Sequence, residues 1–76
     1  MKDLVETVAL ALADKPDAVS VRENDDGELI TIDVSVATED LGRVIGKEGR
    51  TARALRALAS AAGRKRHRRV LVRIAS

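Results

Sequence analysis

Gly46-Lys47-Glu48-Gly49 sets two glycines three residues apart, and Lys47 and Arg50 bring cations to the same place. Glycine adopts φ > 0 at little cost and has no Cβ to obstruct an approaching ligand. A short loop with two such positions can turn several backbone N–H groups outward together. The run that follows, Arg50 to about Ala62, is rich in alanine, leucine and arginine, all good helix formers. A helix N-terminus adds unpaired N–H donors and a positive partial charge, both suited to phosphate. The chemistry on offer is anion binding. Glu48 sits between the glycines, where an acid aimed at the ligand would repel phosphate and one aimed at solvent would do little; the sequence leaves its direction open. An ordinary glycine-containing corner between two helices is the competing reading of these residues.

Charge distribution favours the polyanion reading. The net charge of +2 conceals two unlike halves. Residues 1–40 carry three Lys and Arg against eleven acids, a balance of −8. Residues 41–76 carry eleven Lys and Arg against Glu48 alone, a balance of +10. Such asymmetry implies a half that binds a polyanion and an acidic half that stays clear of it. The densest basic run is Arg64-Lys65-Arg66-His67-Arg68-Arg69, expected to be a loop.

A chain of 76 residues is one small domain. With no aromatic residue and no cysteine, its core must come from Val, Ile, Leu and Ala. The same absence excludes disulfides, thiolate metal sites and base-stacking platforms of the RRM, OB-fold or cold-shock kind. No apolar run approaches the ~20 residues of a membrane span, and no signal peptide is apparent. A soluble cytoplasmic protein without a cofactor is expected. Gly42 to Gly46 leaves three residues between glycines, and Glu48 stands where a P-loop needs Ser or Thr, so that motif is rejected. No nucleophile–base pair is visible, and no enzyme is expected.

The elements that must position the loop follow from pattern. Asp3 and Glu6 have capping-box spacing, and Leu4, Val5, Val8 and Leu12 form an apolar stripe, which predicts a helix ended by Lys15-Pro16. Val19 and Val21 predict a short strand, and Asn24-Asp25-Asp26-Gly27 a turn. Ile30, Ile32, Val34 and Val36 alternate with Thr31, Asp33 and Ser35 as a strand with one packed face. Thr38 is the expected cap of a short helix ending at Ile45, with Glu39 and Asp40 in its first turn where acids favour the helix dipole. In the long helix, Ala52, Leu55, Leu58, Ala59 and Ala62 are expected to face the core. Arg53, Arg56, Ser60 and Arg64 form a polar face, and Ala54, Ala57 and Ala61 a line of small residues that is a candidate dimer contact. Gly63 is the expected C-cap. Val70, Val72 and Ile74 predict the closing strand.

Val44-Ile45-Gly46-x-x-Gly49, followed by a helix, resembles the GxxG signature of KH domains, whose loop clamps the backbone of about four nucleotides. It departs from that pattern at Ala52, where a larger aliphatic is usual. The order helix, strand, strand, helix, helix, strand is similar to the type II KH arrangement. The fold class expected is therefore α+β, α-β-β-α-α-β, with a three-stranded mixed sheet and three helices packed on one face. The resemblance covers residues 1–76 as a single KH domain, with the GxxG loop at 46–49 and a basic variable loop at 63–69. It is nearest to the small bacterial single-KH proteins of the KhpA family.

That resemblance implies a groove for single-stranded RNA. One wall would be the short helix and glycine loop, the other the last strand and the basic loop. The residues it assigns to RNA are Ile45 as groove floor, Gly46, Lys47, Glu48, Gly49, Arg50 and Arg53 at the loop, and Arg64, Lys65, Arg66, Arg68 and Arg69 opposite. It further implies an RNA chaperone that pairs with itself or with a larger KH-containing RNA-binding protein, acting in post-transcriptional control, cell-envelope homeostasis and cell shape. Two other readings compete: a helix–turn–helix DNA binder presenting Arg50, Arg53 and Arg56, and a protein-interaction adaptor using the alanine line with Leu29 and Leu71.

Overall fold

The computed structural model describes residues 2–76. Helix α1 spans Lys2–Leu12, strand β1 Ser20–Asp25 and strand β2 Leu29–Ser35. A five-residue helix α2, Leu41–Ile45, leads through the glycine loop to α3, Arg50–Lys65, and strand β3, Arg69–Ala75, closes the chain. The sheet order is β1-β2-β3, with β1 antiparallel and β3 parallel to β2. The architecture is the α+β, three-stranded mixed-sheet fold that the sequence pattern implies.

Alternation builds the core. Ile30, Ile32, Val34 and Val36 are all buried; the first three sit in register with Val70, Val72 and Ile74 on β3, and Val34 also with Val21 on β1. Val5 and Ala9 of α1, Val44 of α2 and Ala59 of α3 pack onto this face. Each is a small or branched aliphatic, so the layers lie close. The opposite face of the sheet is open. There Asp33 accepts two hydrogen bonds from Arg73, at 2.6 and 3.0 Å, which hold its carboxyl below the usual carboxylate value.

Several local expectations need correction. Asp3 lies inside the first turn of α1 rather than ahead of it, and its carbonyl accepts the Thr7 hydroxyl at 2.8 Å. The buried stripe of α1 is Val5 and Ala9 flanked by Val8 and Leu12; Leu4 is exposed. Strand β1 continues through Asn24 and Asp25, and the turn is tightened instead by Asp26, whose Oδ1 accepts the N–H groups of Glu28 and Leu29. Thr38 begins a 3₁₀ turn, Thr38–Asp40, and does not cap it. Leu58 is 51% exposed, because α3 buries a narrow line of Ala52, Leu55, Ala59 and Gly63. Gly63 is within α3, which runs on to Lys65. A Cβ there would stand 2.5 Å from Val70 Cγ2 and 2.7 Å from the Arg68 carbonyl oxygen, so this glycine permits close packing and does not end the helix. The left-handed residue of that corner is His67, at φ 57°.

Asp40 was expected to serve the dipole of the short helix. It is instead the one buried charged residue among the described residues, 1% exposed, and its Oδ2 accepts the backbone N–H of Lys15 at 2.9 Å. That bond ties the α1–β1 connection to the base of α2, and the neighbouring Lys15–Glu39 ion pair spans the same seam. Asp40→Ala removes this bond and is expected to lower stability by about 1.5–3 kcal/mol, the usual worth of a hydrogen bond to a charged group. Urea unfolding followed by circular dichroism measures it; a change under a few tenths of a kcal/mol would show the bond to be dispensable.

Candidate nucleic-acid interface

Three of the four residues from Gly46 to Gly49 have positive φ. Gly46 lies at φ 82°, ψ 167°, a region open essentially to glycine alone. Glu48 and Gly49 follow in the left-handed region, at φ 57° and 74°. The Gly46 N–H donates to the Gly42 carbonyl at 2.9 Å and ends α2. The Gly49 N–H donates to the Gly46 carbonyl at 3.0 Å and folds the loop on itself. Helix α3 then begins at Arg50 with no side chain capping it. The Arg50 N–H donates to the Lys47 carbonyl, and the positive end of a 16-residue helix lies at the loop without a side-chain cap.

The two glycines do different work. A Cβ on Gly46 would collide with the Thr51 side chain and come within 2.9 Å of the Thr51 nitrogen. Gly46 is thus required by both conformation and space. At Gly49 the nearest atom to such a Cβ is Arg53 Nη1, at 3.8 Å. Gly49 is required by its conformation, and the same distance puts the Arg53 guanidinium at the loop. Lys47 and Arg50 are exposed. Glu48 is exposed too, its carboxylate 4.0 Å from the Arg50 guanidinium, so it opposes one cation of the site at long range. Val44 is fully buried in the core, and Leu41 packs against it. Ile45 stays half-buried beside the loop, the one of the three outside the core cluster.

The basic segment is not a loop facing the glycines. Arg64 and Lys65 belong to the last turn of α3, Arg69 to β3, and only Arg66, His67 and Arg68 form the turn between them. The glycine loop and this basic corner mark opposite ends of α3, about 20 Å apart at 1.5 Å per residue. What joins them is the flank of α3 turned toward β3. Arg56 Nε donates to the Val72 carbonyl at 3.4 Å. Beyond it, Ser60, Arg64, Arg68, Arg69 and Val70 line a recess of about 230 Å³. Ser60 and Arg64 therefore form one side of a short furrow and Arg69 and Val70 of β3 the other, with Arg56 bridging helix and strand beside it and Arg53 farther along the same helix toward the glycine loop. Arg56 and Ser60 were legible only as a polar helix face, because nothing local says which strand that face meets.

Acidic residues are not confined to a remote half, as the charge count implied. The hairpin tip abuts the basic corner. Asp25 pairs with Arg68, and the Arg69 N–H donates to the Glu28 carbonyl at 3.4 Å. Arg68 holds the Asp25 carboxyl below its ordinary value, helped by the Gly27 N–H. A larger recess of about 540 Å³ lies between Asp26, Gly27, Glu28, Leu29, His67 and Arg69, but its carboxylates disfavour phosphate. Ala54, Ala57 and Ala61 are exposed with Leu58 on the outward side of α3, away from its buried line. Among the described residues no group of His, Cys, Asp and Glu is arranged to hold a metal, and no helix is long and apolar enough to cross a membrane.

Gly46→Ala must either strain the loop or displace Thr51 from the start of α3. The expected result is a loss of about 1–3 kcal/mol, the range for a residue forced into a sparsely populated region. Gly49→Ala, with free space around it, should cost less. Thermal unfolding of the two variants side by side tests the order, and a Gly49 variant at least as unstable as the Gly46 variant would contradict it.

Residues 2–74 match the family model described as KhpA/KhpB, KH domain. The chain is 56% identical over 70 residues, 92% of each chain, to an RNA-binding protein KhpA of Halalkalibacterium halodurans. It is 51% identical to the RNA-binding protein KhpA of Caldanaerobacter subterraneus subsp. tengcongensis, over 97% of this chain and 99% of that one. With the protein of the same name from Aquifex aeolicus it shares 45% identity, over 97% and 94%. No solved structure matches the chain.

Proposed function

The chain belongs to the KhpA/KhpB family of KH domains, and from that premise we propose that it binds single-stranded RNA along the furrow between α3 and β3, with the glycine loop as the phosphate clamp. The start of α3 carries this reading: an uncapped helix N-terminus, opened by Gly46 and Gly49 and ringed by Lys47, Arg50 and Arg53. Phosphates enter at Gly46–Gly49, where backbone donors and helix dipole act together. The chain then runs beside Ile45, Arg56 and Ser60 toward Arg64, Lys65, Arg66 and Arg69. Four nucleotides is the span such a loop and its flanks hold in KH domains. Without aromatic residues, affinity rests on charge and on base edges, so it is weak per domain and steeply salt-dependent; each phosphate neutralised adds about −0.7 to the log–log salt slope.

Arg56 disfavours the DNA-binding alternative. Its guanidinium is turned onto β3, and α3 lies along that strand rather than projecting into a major groove. The family is a non-enzymatic one. Family membership, rather than geometry, supports the wider proposal: a cytoplasmic RNA chaperone, working as a homodimer or with a larger KH-containing partner, in cell-envelope homeostasis and cell shape. Ala54, Ala57 and Ala61 are the proposed self-contact.

Replacing Lys47 and Glu48 together by Asp should abolish most binding to a single-stranded RNA oligomer, about tenfold or more, and flatten the salt slope by about 0.7. Fluorescence anisotropy at two salt concentrations, with duplex DNA alongside and circular dichroism as the fold control, reads both. Unchanged RNA affinity would sink the clamp. Separately, Ala57→Glu should shift any dimer to monomer in sedimentation velocity; an unaltered oligomeric state rules out the alanine face.

A further inference from the structure

Arg68 sits among the cations of the basic corner but is built in differently from the rest. Its backbone N–H donates to the Gly63 carbonyl at 2.8 Å, and its own carbonyl oxygen lies 2.7 Å from where a Gly63 Cβ would be. Its guanidinium ends on Asp25, and its Nε is buried with no hydrogen-bond partner among the described residues. The side chain is 23% exposed, although its neighbours Arg66 and Arg69 are open to solvent. Asp25 is fixed in turn: Oδ1 accepts the Gly27 N–H at 2.9 Å within a turn that Asp26 tightens. Arg68 is therefore anchored at both ends, backbone to α3 and side chain to the β1–β2 hairpin, and its neighbour His67 takes φ 57° to allow it.

We propose that Arg68 is a positioning residue for RNA binding and not an RNA contact: the Gly63–Arg68–Asp25 tie pre-orders the corner from which Arg64, Lys65, Arg66 and Arg69 reach the ligand, so that an acid, Asp25, supports the binding of a polyanion. The inference rests on the RNA-binding reading above. Its physical basis is preorganisation. Long cationic side chains held on a fixed corner lose less freedom on binding than the same side chains on a loose one. A phosphate approaching Arg68 would compete with Asp25 for Nη2 and would find the Nε inaccessible, although part of the side chain borders the recess beside α3.

The sign of the Asp25 effect separates the two possibilities. If Arg68 touched RNA, Asp25→Asn would free it and remove a negative charge, and affinity would rise. The tie predicts the reverse. Binding of a labelled single-stranded RNA octamer by the full chain should weaken by about threefold to tenfold in Asp25→Asn, the scale of ordering one rotamer-rich side chain at binding. Asp25→Glu, which keeps the carboxylate, should bind close to the unmodified protein. Arg68→Ala should weaken binding by the same factor as Asp25→Asn, and the double variant should be no weaker than either, as coupled members of one unit behave. A further loss in the double variant, or Asp25→Asn binding as tightly as or more tightly than the unmodified chain, overturns the proposal. Should Arg68→Ala fail to fold, Asp25→Asn, Asp25→Glu and the unmodified chain still decide. If the unmodified chain binds no RNA, the function assigned above fails instead.

Discussion

Helix α3 approaches β3 so closely that Gly63 has no room for a Cβ, and most of the molecule's organisation follows from that contact. Ala52, Leu55, Ala59 and Gly63 make the buried line narrow, mostly small, and long enough to run most of the helix. A shallow seat lets the flank of α3 come within reach of the strand, so that Arg56 meets the Val72 carbonyl. Larger residues on this line would lift the helix and separate the two sides of the furrow. The departure at Ala52 from the larger aliphatic usual in KH domains fits the same logic, since a helix seated on small residues needs no bulky contact at its first turn.

The arrangement divides binding from building among residues of one type. Of the cations after residue 40, Arg43 pairs with Asp14, Arg68 with Asp25 and Arg73 with Asp33, each joining separate parts of the fold. Arg50 faces only Glu48, at 4.0 Å. The remaining basic side chains of α3 and its two ends have no acidic partner within 4.0 Å among the described residues. Charge counting weighs all of these alike. Position in the fold sorts them into those already neutralised and those open to a polyanion.

The positions of the strands and the glycine loop were legible because their signals are local. Period-two alternation at Ile30–Val36 needs only one buried face, and Gly46 and Gly49 need only a backbone that L-residues avoid. What was misjudged depended on partners distant in sequence. Gly63 looks like a helix end because glycine usually ends helices; here Val70 and Arg68, pressed against it, give the reason. Asp40 looks like a dipole-complementing acid because its bond partner, Lys15, is 25 residues away. The acidic and basic halves looked separable, since nothing in either stretch shows that β1–β2 turns at the corner where α3 meets β3. Leu58 fits a helical period yet faces outward, because the buried line is only as wide as the single strand beneath it.

Strand β3 is an outer strand of parallel pairing with the sequence Arg-Val-Leu-Val-Arg-Ile-Ala. A row of unpaired backbone groups beside valine and isoleucine is a template on which another chain can add a strand. Arg56 occupies the middle of that row by engaging the Val72 carbonyl, and the charged side chains around it discourage an apolar neighbour. The arginine that borders the furrow is thus also a guard against edge-to-edge aggregation. In a small domain with a thin aliphatic core, one side chain thus both joins helix to sheet and closes the sheet's open edge.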